Sequence, residues 1–512
     1  MPTGTAPIGL PASLRASGLI AMALVVAAAY GAVIVWTGGH PLLAIGPLAA
    51  LLVAAVFARP ILGVYAALAA ALLFEQWGIA GFNPITAQTH FFDNISGFTS
   101  VDLRLSAADM LIALTLVAWL ARRSRSATPD LRGGPVGYAI GAYLFCFVVG
   151  VFVGLARGGA WNQSAMLAEL RGPVYLVALY FLTTNLLRTR RDVMRMLVLM
   201  LSLIAVKALQ AVWQGAGTLE LVIRPEAVTS HEDVLFFGAA LVLAFASALL
   251  LGRTRITYSL AALVPPIMVA QLLTQRRVAF IALAAALMVV TACLVAVRKR
   301  RTLVVIAVGS VALVAYFAVF WNQTGGVLGQ PVRAVKGVIA PETISERDRL
   351  SNVWRDIENS NITFTLREVP LTGVGLGQEY LFEREPPELT GFAYWRYMTH
   401  NAVAWVWLKA GLLGFASLWW IVVQTVVAGA RLIRQLEQPR DKLVACLPIA
   451  LVVAQVVYSA VDLGLTYSRP MIVLGVSLGL LAPLSSWAVV PSRVLSRAAR
   501  SRQRLAPHHA AA

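Results

Sequence analysis

Residues 397–420 read YMTHNAVAWVWLKAGLLGFASLWW. After Asn401 this stretch stays apolar for about the length that a helix needs to cross a bilayer. Similar runs recur along the 512 residues, of which 59% are hydrophobic and only 13% are charged. Backbone groups in lipid must bond within their own segment, and these runs are too long and too continuously apolar for barrel strands. The sequence therefore predicts an all-α polytopic membrane protein.

The apolar runs predict 12–14 transmembrane helices and one large loop before a C-terminal helix group. The predicted organisation is N-terminal spans over 1–269, a catalytic region over 270–430 that includes the loop 322–400, further spans over 431–490, and a basic tail over 491–512. The predicted spans are 19–37, 42–58, 60–78, 106–121, 135–156, 173–187, 196–214, 233–252, 257–273, 278–297, 302–321, 401–430, 443–461 and 471–490.

The distribution of basic residues predicts the orientation. If the N-terminus is inside and the spans alternate, the inside segments hold 25 of the 42 Lys and Arg residues. Such a bias fixes orientation in membranes, so it accounts for the net charge of +18 without a nucleic-acid partner. We expect a multi-pass protein of the inner (cytoplasmic) membrane with both termini cytoplasmic, a retained N-terminal signal-anchor, and the loop 322–400 on the periplasmic or exterior side.

Five arginines break this bias, because they fall on short outside segments or at the outer ends of spans. One such residue is often a snorkelling anchor at the interface. Several on the same face as a large loop predict an anion-binding site instead, since guanidinium groups bind phosphate bidentately. The five are Arg157, Arg171, Arg224, Arg276 and Arg277.

The loop 322–400 has structure of its own. SERDRLSNVWRDIEN predicts a helix that lies on the membrane or on other spans, with an apolar stripe. In PLTGVGLGQ the glycines allow a tight backbone path, and GFAYWRYMTH predicts an interfacial aromatic belt. The stripe is Leu350, Val353, Trp354 and Ile357, the glycines are Gly373, Gly375 and Gly377, and the belt is Phe392, Tyr394, Trp395 and Tyr397.

His400 stands where this loop enters the membrane, and Asn401 or Thr399 is expected to cap the helix that follows. A histidine at an interface is often only solvated, but imidazole is also the natural proton acceptor near neutral pH. An enzyme facing outward has no ATP, so its donor must arrive energised and lipid-anchored. A polyprenyl-pyrophosphate sugar fits arginines that neutralise the departing pyrophosphate and a histidine that deprotonates an acceptor hydroxyl.

At these residues the chain resembles the O-antigen ligase and polymerase superfamily. THNAVAWVWLKAGLLGFASL is similar to that family's His-Asn start and Gly-Leu-Leu-Gly turn. ERDRLSNVW and PLTGVGLGQEY are similar to its Arg-x-x-x-x-Trp stretch and Gly-x-Gly turn, and LLTQRRVAFIALAAAL to its Ser-Arg-Gly-Ala span start. The resemblance covers about 270–430. Lys409 stands where many relatives have Glu.

The resemblance implies metal-independent glycan transfer from an undecaprenyl-pyrophosphate-linked donor to a glycan, lipid or protein acceptor, with membrane lipid around the bundle and no cofactor. His400 and Arg277 are then the catalytic residues, and Asn401 and the three glycines shape the loop. The residues expected to bind pyrophosphate are Arg276, Arg171, Arg224 and Arg347.

Three alternatives for the acceptor stay open: ligation to a lipid A core, polymerisation of repeat units, and transfer to protein. A different class, a transporter or flippase for lipid-linked glycan or a small molecule, would carry ionisable residues deep in several spans. The sequence shows few such residues, among them Asp109, Lys207, Lys409 and Asp462. A structural scaffold would leave the outer arginines unexplained.

Overall fold

A computed structural model describes residues 45–76, 84–94, 104–124, 131–218, 227–323, 326–340, 342, 346–386 and 392–488, with scattered positions between 25 and 36. Residues 1–59 and 60–512 form two units, and each is considered by itself. The first contains α1 (Ile45–Ala58). The second contains α2 (Ile61–Leu73), α3 (Ala107–Ser124), α4 (Gly137–Arg157), α5 (Gln163–Leu186), α6 (Arg190–Gly217), α7 (Asp233–Leu250), α8 (Arg255–Leu273), α9 (Val278–Phe320), α10 (Gln330–Ile339), α11 (Glu346–Glu368), α12 (Ala402–Gln435), α13 (Pro439–Ser459), α14 (Ser468–Gly479) and α15 (Leu481–Ser486).

The protein is an all-α polytopic membrane protein, as the apolar runs predict. Among the described residues, nine helical segments are long and apolar enough to cross a membrane. One of them, α9, has 43 residues and bends at Arg298, whose φ of −136° and ψ of 44° are not helical. The predicted spans 278–297 and 302–321 lie on either side of this bend. The predicted span 19–37 lies largely outside the described residues.

A buried ionic network joins four of the helices. The Arg469 guanidinium of α14 lies 2.7 Å from Glu232 and 2.5 Å from Asp233 at the start of α7. Lys207 of α6 pairs with Glu75, which follows α2. All five side chains are buried. Because an unpaired charge in an apolar interior is costly, these partners fix the ends of the helices relative to one another.

Several of the predicted basic segments lie together at one end of the bundle. Arg190 at the start of α6 pairs with Asp441 of α13 at 3.1 Å. Near that start of α13, Arg298, Arg301 and Arg440 line one cavity together. The loop segments that precede α12 lie against the opposite ends of the helices, so the bundle has a basic end and a loop end.

Helix α11 is present where predicted, and the face that it buries within the protein is polar. Leu350 and Val353 of the apolar stripe are 61% and 49% exposed. The side that α11 buries carries Glu358, Asn361, Ile362 and Thr365 instead. The reason is that these polar groups bind backbone: the Asn361 amide oxygen accepts the N–H groups of residues 383 and 384, both at 2.9 Å.

The predicted aromatic belt packs largely within the protein. Trp395 stacks on Phe382 with ring centroids 5.9 Å apart, and Arg396 lies against both rings. Tyr397 is 8% exposed and its hydroxyl accepts a hydrogen bond from Asn162 at 3.4 Å. These contacts hold the segment that leads to residue 400.

Candidate active site

His400 precedes α12 and is held by α11. Asn401 caps α12, since its side-chain oxygen accepts the Ala404 N–H at 3.1 Å. The carboxylate of Glu358 accepts the His400 backbone N–H with both oxygens, each at 3.0 Å, and one oxygen lies 3.3 Å from His400 Nδ1. The Trp354 ring meets the imidazole edge to face at 4.8 Å.

This arrangement selects one form of the histidine. A buried carboxylate beside Nδ1 favours the tautomer in which Nδ1 carries the proton and donates it to Glu358. The other nitrogen, Nε2, is then an acceptor. The side chain of Glu358 is 1% exposed and that of His400 is 23% exposed, so the carboxylate is fixed while the ring remains accessible.

Arg276 lies between a histidine and a carboxylate. Its guanidinium contacts the His231 ring, and its NH1 atom is 3.9 Å from Asp462 Oδ2. Burial and the neighbouring Arg276 lower the pKa of His231 to about 3, so this ring is neutral at neutral pH. Burial alone would raise the pKa of Asp462, but Arg276, His231 and His400 outweigh it and hold that pKa below its usual value.

A cavity of about 750 Å³ opens beside these residues. Four arginines and two aspartates line it, together with polar and aliphatic side chains of α9 and α11 and the segment after α13. Because arginines outnumber aspartates in its lining, the cavity suits an anion with several oxygen atoms. The charged lining residues are Arg276, Arg277, Arg349, Arg355, Asp356 and Asp462.

Helix α11 connects the cavity to the histidine. Asn359 lines the cavity and its side-chain oxygen accepts a hydrogen bond from the Asn401 amide at 3.0 Å. Arg355 donates to the carbonyl of Val461 at 3.2 Å, which ties α11 to the segment that carries Asp462. Glu358 of the same helix holds His400, so one helix contacts both the histidine and the cavity.

The glycine turn fits between α4 and α12. Gly373, Gly375 and Gly377 all have positive φ, of 64°, 86° and 76°. A Cβ atom on Gly375 would lie 2.3 Å from the backbone nitrogen of Gly154 in α4. Both the positive φ of Gly375 and its close approach to α4 therefore require glycine at this position.

Arg157 closes the same turn by donating to the carbonyl of Gly373 at 2.8 Å. This arginine therefore shapes the loop. The structure does not bring it to the arginine-lined cavity, whose described lining does not include it.

A buried ion pair lies under the turn. Lys409 of α12 is 2.8 Å from Glu169 of α5, and both side chains are fully buried. The other Glu169 oxygen accepts the Gly377 N–H at 2.7 Å, and Lys409 donates to the Gln378 carbonyl. Lys409 thus joins the span to the loop and needs an acidic partner from another helix.

Another predicted arginine, Arg171, is not part of the described lining of the large cavity. Arg171 is 3.1 Å from Asp109 and donates to the Arg104 carbonyl at 2.6 Å, and it lines a second, smaller cavity. Arg224 lies outside the described residues. Arg347 is the second residue of α11. The structure therefore brings together Arg276, Arg277 and the His400 segment but leaves Arg171 apart.

Comparison with known families gives a match over the segment that carries these motifs. Residues 258–419 match the family described as O-antigen ligase. This segment of the chain is similar to O-antigen ligases. A search of curated proteins found no match. The predicted resemblance is thus confirmed, and the family is one of membrane glycan-transfer enzymes.

The segment that is similar to O-antigen ligases contains the Arg-x-x-x-x-Trp motif. Its arginine, Arg349, lines the cavity, while its tryptophan, Trp354, contacts the His400 ring. The predicted region 270–430 overlaps the matched segment. Asp462 and His231 lie outside the match but meet Arg276, so segments beyond the domain complete the site.

Sequence reasoning missed the partners of the chosen residues. Glu358 and Arg355 are not part of the apolar stripe that the sequence predicts for this helix. Glu169 was not named as a candidate, although it stands only two positions before the predicted anion-binding residue Arg171. The available signal for Glu358 was its spacing, since a carboxylate four positions after Trp354 lies on the same side of the helix as that ring.

Within the described ranges no group of three or more His, Cys, Asp or Glu side chains is arranged to hold a metal ion. The three cysteines are unpaired thiols, at Cys146, Cys293 and Cys446. The positive charge in the arginine-lined cavity comes from the protein's own side chains.

Proposed function

We propose that the protein transfers glycan from an undecaprenyl-pyrophosphate-linked donor to an acceptor hydroxyl or amide group, on the outer face of the cytoplasmic membrane. The observation that carries the proposal is the arginine-lined cavity of about 750 Å³ beside the Glu358–His400 pair. A glycan-transfer domain supplies the reaction class.

The donor's pyrophosphate binds to Arg276 and Arg277, with Arg349 and Arg355 around it. Charge-assisted bonds from guanidinium groups suit phosphate oxygens. Val278, Ile281 and Val353 add apolar surface to the same cavity, and a prenyl chain packs there next to the membrane. As the bond between the anomeric carbon and the pyrophosphate oxygen breaks, the arginines stabilise the charge that grows on the leaving group.

His400 activates the acceptor. Its Nε2 takes the proton from the acceptor as the acceptor atom bonds to the anomeric carbon, and Glu358 stabilises the imidazolium that results. Undecaprenyl pyrophosphate leaves with the bonding electron pair, and the proton passes from His400 to solvent. Asp462 and His231 contact Arg276 and orient its guanidinium.

Arg171, Arg224 and Arg347 are proposed to contribute positive charge around the donor, and the turn of Gly373, Gly375 and Gly377 to set the position of the loop. Both termini are proposed to be cytoplasmic, so that the loop end faces the periplasm or exterior. This follows from the basic end of the bundle, which is expected on the cytoplasmic side.

The alternative function is transport of the lipid-linked glycan without chemistry. Ionisable residues do lie deep in the bundle, more than the sequence analysis named: Glu75, Glu169, Glu232, Asp233 and Arg469 are all buried. They form ion pairs with each other or with Lys207 and Lys409. Their pairing favours a role in fixing helices over one in carrying a substrate.

The test is reconstitution in liposomes with undecaprenyl-pyrophosphate-linked oligosaccharide. Three acceptors are supplied in turn: lipid A core, a second molecule of the donor, and a pilin. The proposal expects a glycosylated product with one of them, together with free undecaprenyl pyrophosphate. Movement of the donor between leaflets with no product from any acceptor would support the transporter instead.

A further inference from the structure

A second cavity, of about 110 Å³, lies near the same histidine segment. We define it as the aromatic cavity, because Phe92, Phe392, Tyr394 and Tyr467 line it. At about 30 Å³ per water in the liquid, its volume corresponds to roughly four waters.

Uncommitted polar atoms accompany the aromatic rings. Asp93 uses one carboxylate oxygen to bind His90 at 2.8 Å, and Gln76 uses its amide oxygen to accept the Ser468 N–H at 2.8 Å. Within the part of the chain that the structure describes, no hydrogen bond engages the second Asp93 oxygen, the Gln76 amide nitrogen, or the hydroxyls of Tyr394 and Tyr467. These atoms offer donors and acceptors to a ligand.

Aromatic faces and scattered hydrogen-bonding groups are complementary to a pyranose. One face of the sugar presents C–H groups that pack on aromatic rings, and its rim presents hydroxyls that pair with carboxylate, amide and phenol groups. The cavity lining carries one carboxylate and one guanidinium, those of Asp93 and Arg171, so the ligand need not be highly charged. A phosphate would meet the Asp93 carboxylate.

A short segment connects the two cavities. Met398 lines the aromatic cavity, and Asn401 binds Asn359 of the arginine-lined cavity at 3.0 Å. His400 lies between these two residues in sequence. On the other side, Asp462 lines the arginine-lined cavity while Thr466 and Tyr467 line the aromatic cavity. The donor's pyrophosphate and its sugars also adjoin each other in one molecule.

We infer that the aromatic cavity is a subsite for one pyranose ring of the donor glycan, bound by Asp93, Gln76, Tyr394 and Tyr467. The inference rests on the proposed function for the identity of the donor. The sugar ring packs on the aromatic side chains while the pyrophosphate binds the arginines, so the donor is recognised at both ends of its reactive bond.

The experiment compares wild type with a Tyr394→Phe/Tyr467→Phe variant and with Asp93→Asn, using Tyr138→Phe as a control on an 89% exposed tyrosine. Two probes are titrated: undecaprenyl pyrophosphate carrying the oligosaccharide, and sugar-free undecaprenyl pyrophosphate. Each removed hydrogen bond is expected to weaken binding of the sugar-bearing probe, by about tenfold for the double variant. Affinity for the sugar-free probe stays unchanged, which also shows that the variants fold.

Equal loss for both probes, or no loss for either, would overturn the subsite. Saturation-transfer NMR with the lipid-free oligosaccharide, released from the donor by mild acid, provides a readout without turnover. A signal that is present in wild type and disappears in the variants supports the subsite. If no acceptor is glycosylated in that case, only the proposed transfer reaction is contradicted. The subsite alone would be overturned if wild type transfers glycan and every variant keeps the wild-type NMR signal and the wild-type donor KM. A rise in KM confined to the acceptor would overturn its assignment to the donor.

Discussion

Glu358 binds His400 twice: its carboxylate accepts the backbone N–H through both oxygens at 3.0 Å and lies 3.3 Å from Nδ1 of the ring. The same side chain therefore fixes both the start of α12 and the orientation of the imidazole. Because Glu358 is buried and comes from α11, the loop helix must be docked before the histidine is set. This couples the order of the loop to the chemistry of the site.

Glu358→Gln tests the charge in this pair. The amide oxygen still accepts the backbone N–H, but the negative charge that stabilises imidazolium is gone, so kcat is expected to fall about 10²-fold with donor KM little changed. Glu383→Gln is the matched control, since that carboxylate is exposed beside the same helix. Steady-state kinetics with saturating acceptor measure both, and wild-type kcat in Glu358→Gln would remove the pair from the mechanism.

Arg277 tests the anion site. Arg277→Ala is expected to raise donor KM roughly 10–100-fold, since it removes a charged hydrogen-bond donor. Arg277→Lys should raise it less, because it keeps the charge and loses only the planar fork. Arg440→Ala, at the basic end of the bundle, serves as the control. Wild-type donor affinity in both Arg277 variants would argue against a pyrophosphate role.

Gly375→Ala tests the turn between α4 and α12. Its φ of 86° and the Gly154 nitrogen 2.3 Å from the new Cβ both oppose a side chain. The conformation alone costs about 1–3 kcal/mol, and the overlap adds to it. Gly141→Ala is the control, because no atom lies within 4 Å of that Cβ on α4. Thermal unfolding in detergent should show a lower Tm for Gly375→Ala only. Equal Tm values for the two variants would contradict the close packing of the glycine turn between α4 and α12.

The buried pair of Lys409 and Glu169 gives a test by double mutation. Lys409→Met leaves a buried carboxylate without its cation, which costs about 3–5 kcal/mol. Adding Glu169→Gln removes that charge and keeps an acceptor for the Gly377 N–H, so most of the stability returns. Unfolding free energies of the two single variants and the double variant measure the coupling, and strictly additive losses would show that the pair does not interact.

The fold was largely predictable because membrane spans leave a strong signal in sequence. Long apolar runs require helices, and the break of α9 at Arg298 falls between the two predicted spans. The position of α11 was predictable too, but its buried face was not. Its polar side binds loop backbone, and a hydrophobic pattern contains no information on such partners.

The site was predictable only as far as local motifs reach. His400, Arg276 and Arg277 stand in short stretches that resemble a family, and the structure places all three around α11. Their partners come from distant parts of the chain, such as Asp462, which lies 186 positions after Arg276. Pairing at that separation is set by helix packing, so one sequence read by itself does not specify it.

The most direct measurement of the central claim is single-turnover transfer from the lipid-linked donor in liposomes, comparing wild type with His400→Gln at saturating donor and acceptor. The account predicts product in wild type and at least about a 10²-fold lower rate in the variant, with donor binding and Tm unchanged. Transfer at the wild-type rate by folded, donor-binding His400→Gln would contradict it.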